Sequence, residues 1–223
     1  FESPYVFCQS NPVLFIDPDG RDEYECTAKG KITWVKATDT DSFHFINDKG
    51  ERTGESLSFE SKVVEKMFSL ESNGIKTNHL KVNDDKNASL IFEFLANNEM
   101  AIENRLEFAL TRVLDLETCE NTNFIGINDI YKPHVSSGNI NVFENGYDIR
   151  EMNHNHPSGN TNPSGRPSEK TTFGDIEVLR KVISDYPNAK FNIYTKNKGY
   201  SPYDSYGTLD FSNIPIELLN YEY

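Results

Sequence analysis

The segment His154-Asn155-His156-Pro157-Ser158-Gly159-Asn160 has the pattern of an extended stretch that leads into a loop. Side chains in an extended segment alternate between two faces, so both histidines point to the same side. Both can therefore reach one metal ion. Asn155, which lies between them, faces the other way.

The residues after this pair predict a loop and then a helix. Residues 157–168 are rich in Pro, Ser, Gly and Asn, a composition typical of a loop. Ile176, Leu179 and Ile183 then recur at helical spacing, and Pro187 ends the run. Asp175 heads this run, at or near the predicted N-cap of the helix.

Asp175 has two open roles. As a ligand, it would join His154 and His156 in a set of three protein ligands and leave the fourth tetrahedral position of a zinc ion for water, the pattern of a catalytic site. As a capping residue, it would need no metal. The chemistry expected of such a zinc site is hydrolysis.

The rest of the chain has the pattern of an α/β protein. Alternating apolar residues between 31 and 59 predict a small antiparallel β-rich segment, and residues 63–70 predict a short strand or helix. The polar residues 83–87 mark a domain boundary. A helix over residues 90–95 follows, which ends near Asn97-Asn98, and the later strand candidates are residues 100–110, 124–127, 140–143, 191–194 and 199–209.

Composition excludes several classes of protein. The chain has 223 residues, enough for one main domain with an appendage, and contains neither an apolar stretch of membrane-spanning length nor a signal peptide. Its formal net charge of −13 argues against a nucleic-acid partner, because phosphate contacts need clustered Lys and Arg. The three cysteines are widely scattered, which argues against a disulfide scaffold or a CxxC zinc site.

The histidine pair, its loop and Asp175 resemble the JAB/JAMM metalloprotease signature, which reads His-x-His-Pro, a loop with Pro-Ser, and then Ser-x-x-Asp. The resemblance implies a zinc ion held by His154, His156 and Asp175. It places Thr172 where the family has the serine that helps to stabilise the oxyanion, and the loop before Asp175 is longer than usual. The implied fold is the three-layer α/β/α arrangement of the JAB/JAMM family, similar in shape to cytidine deaminases.

The same family takes its general base from a glutamate on a strand that follows the first helix. Glu103 is the predicted base, because it lies in the predicted strand 100–110 and because residues 97–104, NNEMAIEN, resemble the equivalent stretch of JAB-like toxins. Glu99 and Glu107 have the same parity as Glu103 and stay open as alternatives. Glu151 has the opposite parity to the two histidines and is expected to point away from the ion.

The first twenty residues carry a second resemblance. Asn11-Pro12 and Asp17-Pro18-Asp19-Gly20 are similar to the closing stretch of an RHS/YD-repeat core, and a first residue Phe1 suits a piece of a longer protein. The resemblance implies a polymorphic toxin that is enclosed by an RHS shell before its release. The predicted division is residues 1–20 as the RHS tail and release linker, 21–84 as the β-rich prefix and 85–223 as the JAB/JAMM-like toxin domain.

Together the two resemblances imply a secreted effector for competition between bacteria. Its toxin tip would be a zinc-dependent peptidase or isopeptidase that acts on a protein substrate. The expected location is the cytoplasm of a target cell, and the producing cell would make a cognate immunity protein. Two alternatives stay open. One is a metal-dependent nuclease toxin, which the acidic charge argues against, and the other is a non-catalytic JAB-like interaction module.

Overall fold

A computed structural model of the chain describes residues 21–38, 40–72, 75–128, 146–165 and 174–208. Within these ranges the protein is mixed α/β, as predicted, and it is richer in strands than in helices. The helices are α1 (Asp85–Asn97), α2 (Glu99–Glu103) and α3 (Asp175–Asp185). None of the described helices is long and apolar enough to cross a membrane.

The described strands number twelve. They are β1 (Arg21–Thr27), β2 (Ile32–Thr38), β3 (Ser42–Ile46), β4 (Arg52–Ser58), β5 (Val64–Ser72), β6 (Ile75–Val82), β7 (Glu107–Asp115), β8 (Glu120–Asn128), β9 (Tyr147–Asn155), β10 (Lys190–Thr195), β11 (Gly199–Asp204) and β12 (Gly207–Thr208). The strand candidate at residues 140–143 lies outside the described residues, as do residues 1–20.

Strands β1–β4 form a four-stranded sheet in the order β2-β1-β3-β4. Two of its pairings are antiparallel, as predicted, but β1 and β3 run parallel. The sequence pattern did not indicate β1. Its residues, Arg21-Asp22-Glu23-Tyr24-Glu25-Cys26-Thr27, are mostly polar, and only Tyr24 and Cys26 are buried apolar side chains.

The other strands form an eight-stranded sheet in the order β12-β11-β10-β9-β7-β8-β6-β5. The short run for which periodicity left strand and helix open is strand β5, and its partner β6 pairs with β8. Strands β5 and β6 therefore pair in the same sheet as the strands that follow α1. The division of the chain at residue 84 stays a prediction.

Two apolar clusters hold the helices against this sheet. Helix α1 shares one cluster with Ile125 of β8, and helix α3 shares the other with Phe124. Because neighbouring residues of a strand point to opposite faces, α1 and α3 lie against opposite sides of β8. The α1 cluster also contains Phe43 and Phe45 of β3, so the four-stranded sheet packs on α1 and shares its core.

The predicted strand over residues 100–110 is wrong in its first half. Asn98 caps α2, because its side-chain oxygen accepts hydrogen bonds from the backbone N–H groups of Met100 and Ala101. Arg105, at φ 54°, then ends the helix and strand β7 begins at Glu107. A helix of five residues is too short to show a helical period, so its apolar residues imitate strand alternation.

Candidate metal centre

The two histidines lie where β9 leaves the sheet. Strand β9 pairs antiparallel with β7 and parallel with β10, and His154 is its second-last residue. His156 follows the strand, and its backbone N–H still donates to the carbonyl of Tyr194 at 2.9 Å. Backbone pairing therefore fixes both residues at the C-terminal end of β9, with their side chains on one side as the sequence predicts.

Asp175 is the first residue of α3, and the N-cap position belongs to Gly174. Its carboxylate faces the histidines. Asp175 Oδ1 lies 3.2 Å from His154 Nε2, and Asp175 Oδ2 lies 3.4 Å from His156 Nε2. The two Nε2 atoms are 3.0 Å apart.

These three side chains fit a zinc ion. A tetrahedral zinc with bonds of about 2.0–2.1 Å places its ligand atoms about 3.3 Å apart. The two Nε2 atoms are 3.0 Å apart, and each lies near that distance from one of the two Asp175 oxygens, at 3.2 Å for Oδ1 and 3.4 Å for Oδ2. In the described part of the chain no other group of His, Cys, Asp or Glu converges in this way. Lone pairs that converge so closely repel one another unless a cation, either a proton or a metal ion, lies between them.

His156 is held in the form that a metal needs. Its Nδ1 lies 2.7 Å from the carbonyl oxygen of Asn160. A carbonyl only accepts hydrogen bonds, so Nδ1 carries the proton and Nε2 turns its lone pair toward the cluster. Such a bond from the outer nitrogen is how proteins orient a histidine ligand.

Asp175 is oriented in the same way by Ser164. The backbone N–H and the hydroxyl of Ser164 both donate to Asp175 Oδ2, at 2.7 and 3.0 Å. The close approach depends on Gly174, since a Cβ there would lie 2.8 Å from backbone atoms of Ser164 and Gly165. Sequence reasoning missed Ser164, because nothing in the sequence relates its spacing to Asp175. Thr172, the predicted oxyanion residue, lies outside the described residues.

Ser164→Ala is expected to weaken zinc binding about 10- to 100-fold, the usual cost of losing an outer-shell partner of a metal ligand. The variant keeps the bond from the Ser164 backbone N–H to the Asp175 carboxylate and loses two bonds of the hydroxyl, which donates to Oδ2 and accepts from the Asp175 backbone N–H. Competition with a chromogenic zinc chelator measures the affinity. Ser158→Ala is the matched control from the same loop, because within the described residues the Ser158 hydroxyl accepts a long bond from the Asn160 backbone N–H, at 3.4 Å. Equal losses in both variants would contradict the role of Ser164.

Glu107, one of the alternatives that the sequence left open, lies beside the cluster. Ala109 pairs with His154 across the two strands, and Glu107 is two residues from Ala109, so all three side chains share a face. Burial raises the pKa of Glu107, Asp175 raises it further, and the two histidines lower it; the net shift is upward. The strand register thus places the Glu107 carboxyl on the face of the sheet that carries His154.

The predicted base, Glu103, is placed differently. It is an exposed residue at the end of α2 and not part of the strand. The strand assignment that supported Glu103 is therefore wrong. Glu107, which lies in β7, is the glutamate that shares a face of the sheet with the histidines. Glu151, which the sequence placed on the other face, forms an ion pair with Arg112 at 3.2 Å.

Charge at the cluster predicts a pH dependence. Burial lowers the pKa of His154, but the neighbouring Asp175 carboxylate outweighs burial and the net pKa is raised. The pKa of Asp175 is lowered despite burial, because the charge and hydrogen bond of His154 and the backbone N–H of Ser164 stabilise the carboxylate. A histidine whose pKa is higher in the folded state stabilises the fold below its unfolded pKa of about 6.5, and this stabilisation is lost as pH rises through the folded value.

The metal-free protein is therefore expected to lose thermal stability, as pH rises above about 6.5, more steeply than its His154→Ala variant. With zinc present the dependence reverses, because zinc binds the neutral histidine and its affinity rises as protons leave. Melting curves in chelator and in excess zinc measure both slopes. Parallel slopes for wild type and variant in chelator would show that His154 does not carry the proton.

Comparison with known proteins gives one match. A family model described as JAB-like toxin 1 matches residues 80–190, a span that contains α1, α2, α3 and strands β7, β8 and β9. No curated protein and no solved structure matches the chain. The matched span carries His154, His156, Asp175, Ser164 and Glu107, and it supports the predicted JAB-like toxin domain.

Proposed function

Because residues 80–190 match a JAB-like toxin family, we propose that the chain is a toxin whose JAB-like domain is a zinc-dependent peptidase or isopeptidase. The observation that carries the proposal is the convergence of two histidine nitrogens and one carboxylate within 3.0–3.4 Å, with Glu107 on the same face of the paired strands. An interaction module without catalysis needs neither the ligand set nor the neighbouring base.

His154, His156 and Asp175 would hold the ion. Bound there, zinc supplies a Lewis acid that polarises the scissile carbonyl and makes water more acidic. His156 is kept in its ligand tautomer by Asn160, and Asp175 is held by Ser164, so the chain fixes two of the three ligands in advance.

Glu107 is the proposed general base. It takes a proton from the attacking water as the oxygen bonds to the carbonyl carbon, and it passes that proton to the leaving amine as the C–N bond breaks. Its raised pKa suits both halves of this transfer, because a base with a pKa nearer the working pH gives its proton back more readily. Thr172 is proposed as an oxyanion partner on the family resemblance.

The toxin context extends the proposal beyond the site. The resemblance of residues 1–20 to the end of an RHS core supports a parent chain whose repeat shell encloses the toxin before release. We propose delivery as a secreted effector into the cytoplasm of a target cell, a protein substrate there, and a cognate immunity protein in the producing cell.

Hydrolysis in ¹⁸O-labelled water tests the reaction. The zinc-loaded protein is incubated with a bacterial protein extract, and mass spectrometry locates new carboxylates that contain ¹⁸O. A labelled carboxylate at a cleaved peptide bond within a chain identifies a peptidase. A labelled C-terminal carboxylate on a protein that had been attached to a lysine amine identifies an isopeptidase. Parallel incubations with DNA and RNA test the nuclease alternative. Absence of labelled carboxylates from every extract, at one zinc per chain, would contradict the proposal.

A further inference from the structure

Asn155 separates the two histidines and is buried on the opposite face of β9, at 2 % exposure. Its amide makes two hydrogen bonds to the start of β7. The side-chain oxygen accepts from the backbone N–H of Phe108 at 2.6 Å, and the side-chain nitrogen donates to the carbonyl of Leu106 at 3.1 Å. These two backbone groups flank Glu107.

The bonds occur where regular pairing stops. The register between β7 and β9 ends at the pair Ala109 and His154, so Leu106 and Phe108 have no backbone partner in β9. Buried backbone groups need partners, and here the Asn155 amide supplies both a donor and an acceptor. The Asn155 side chain thus extends the hydrogen bonding between β7 and β9 to Leu106 and Phe108, the two neighbours of Glu107.

We propose that Asn155 is a positioning residue for Glu107, which locks the strand of the base to the strand of the metal ligands. The inference rests on the proposed function of the site. It gives the middle residue of the His-x-His segment a role, since one three-residue stretch then places two ligands and, through the backbone, the base. A change in the position of β9 moves Glu107 with the histidines.

Amide hydrogen exchange and cobalt binding test the inference together. Asn155→Leu removes both hydrogen bonds at similar volume, and Asn153→Leu is the matched control. Asn153 is also 2 % exposed and also donates to a β7 carbonyl, that of Leu110, but it lies away from Glu107. We expect the Phe108 amide to exchange at least about tenfold faster in Asn155→Leu and at the wild-type rate in Asn153→Leu.

Cobalt(II) affinity, measured from the visible absorption of the bound ion, then shows whether the two hydrogen bonds of Asn155 act through Glu107. Glu107→Gln removes a negative charge beside the ion and is expected to weaken cobalt binding several-fold in the wild-type background. In the Asn155→Leu background the same substitution is expected to have almost no effect, because Glu107 no longer holds its position. Such non-additivity separates positioning from plain loss of stability.

The outcomes are distinguishable. An unchanged Phe108 exchange rate, or an equal effect of Glu107→Gln in both backgrounds, would overturn the role of Asn155 and leave the metal site intact. Failure of the wild-type protein to bind cobalt would overturn the proposed function and this inference with it. Circular dichroism of each variant checks that it is folded.

Discussion

The Glu107→Gln variant is expected to hydrolyse its substrate about 10²- to 10⁴-fold more slowly than the wild type, the range that general acid–base catalysis contributes. Glutamine keeps the size of the side chain but neither accepts the proton of the attacking water nor returns it to the amine. Zinc content is expected to stay near one ion per chain, because the three ligands are unchanged. The rate of appearance of ¹⁸O-labelled carboxylates measures the effect.

Glu103→Gln is the matched control for this variant. The two glutamates are four residues apart, but Glu103 is exposed at the end of α2 and Glu107 begins β7 beside the histidines. We expect wild-type turnover from Glu103→Gln. A large loss of turnover in Glu103→Gln, with normal turnover in Glu107→Gln, would restore the base that the sequence predicted and exclude Glu107.

The His154→Ala and Asp175→Ala variants are each expected to lose zinc at micromolar metal. Each change removes one of three protein ligands, so the affinity should fall by more than the roughly 10- to 100-fold that outer-shell changes cost. Elemental analysis after dialysis against trace zinc measures the metal that remains. Hydrolysis is expected to fall with the zinc content.

His44→Ala controls for the loss of a histidine that is remote from the cluster. His44 lies in β3, where it contacts Ser42 at 3.3 Å and Glu23 at 3.5 Å. Zinc content equal to that of the wild type is expected. Retention of one zinc per chain by His154→Ala would show that the ion binds elsewhere.

The convergence of the three candidate ligands was predictable from the sequence because each depends on a local pattern. His154 and His156 share a face through the period of a strand, and Asp175 heads a helix whose apolar period is clear. The position of Glu107 as the proposed base was not predictable, since α2 is too short to show a helical period and its apolar residues continue into β7 without a break. Ser164 was not predictable either, because only tertiary contact brings that loop residue to Asp175.

The fold as a whole also has parts that the sequence pattern predicts and parts that it does not. Helix α1, which ends at Asn97 as predicted, and strand β10 have clear apolar patterns, whereas β8 begins at Glu120, four polar residues before the predicted strand 124–127. The membership of β5 and β6 in the large sheet depends on the pairing of β6 with β8, more than forty residues away along the chain. Local periodicity carries no information about such a pairing.

The core that β3 shares with α1 extends beyond the residues that match the JAB-like toxin family. Phe43 and Phe45 are fully buried against the same cluster as Phe92 and Leu95 of α1. A chain cut back to the family-matched residues would expose the apolar surface of α1 to water and invite aggregation. A transfer of the candidate metal centre to another chain would therefore be expected to need the four-stranded sheet as well, because that sheet covers the apolar side of α1.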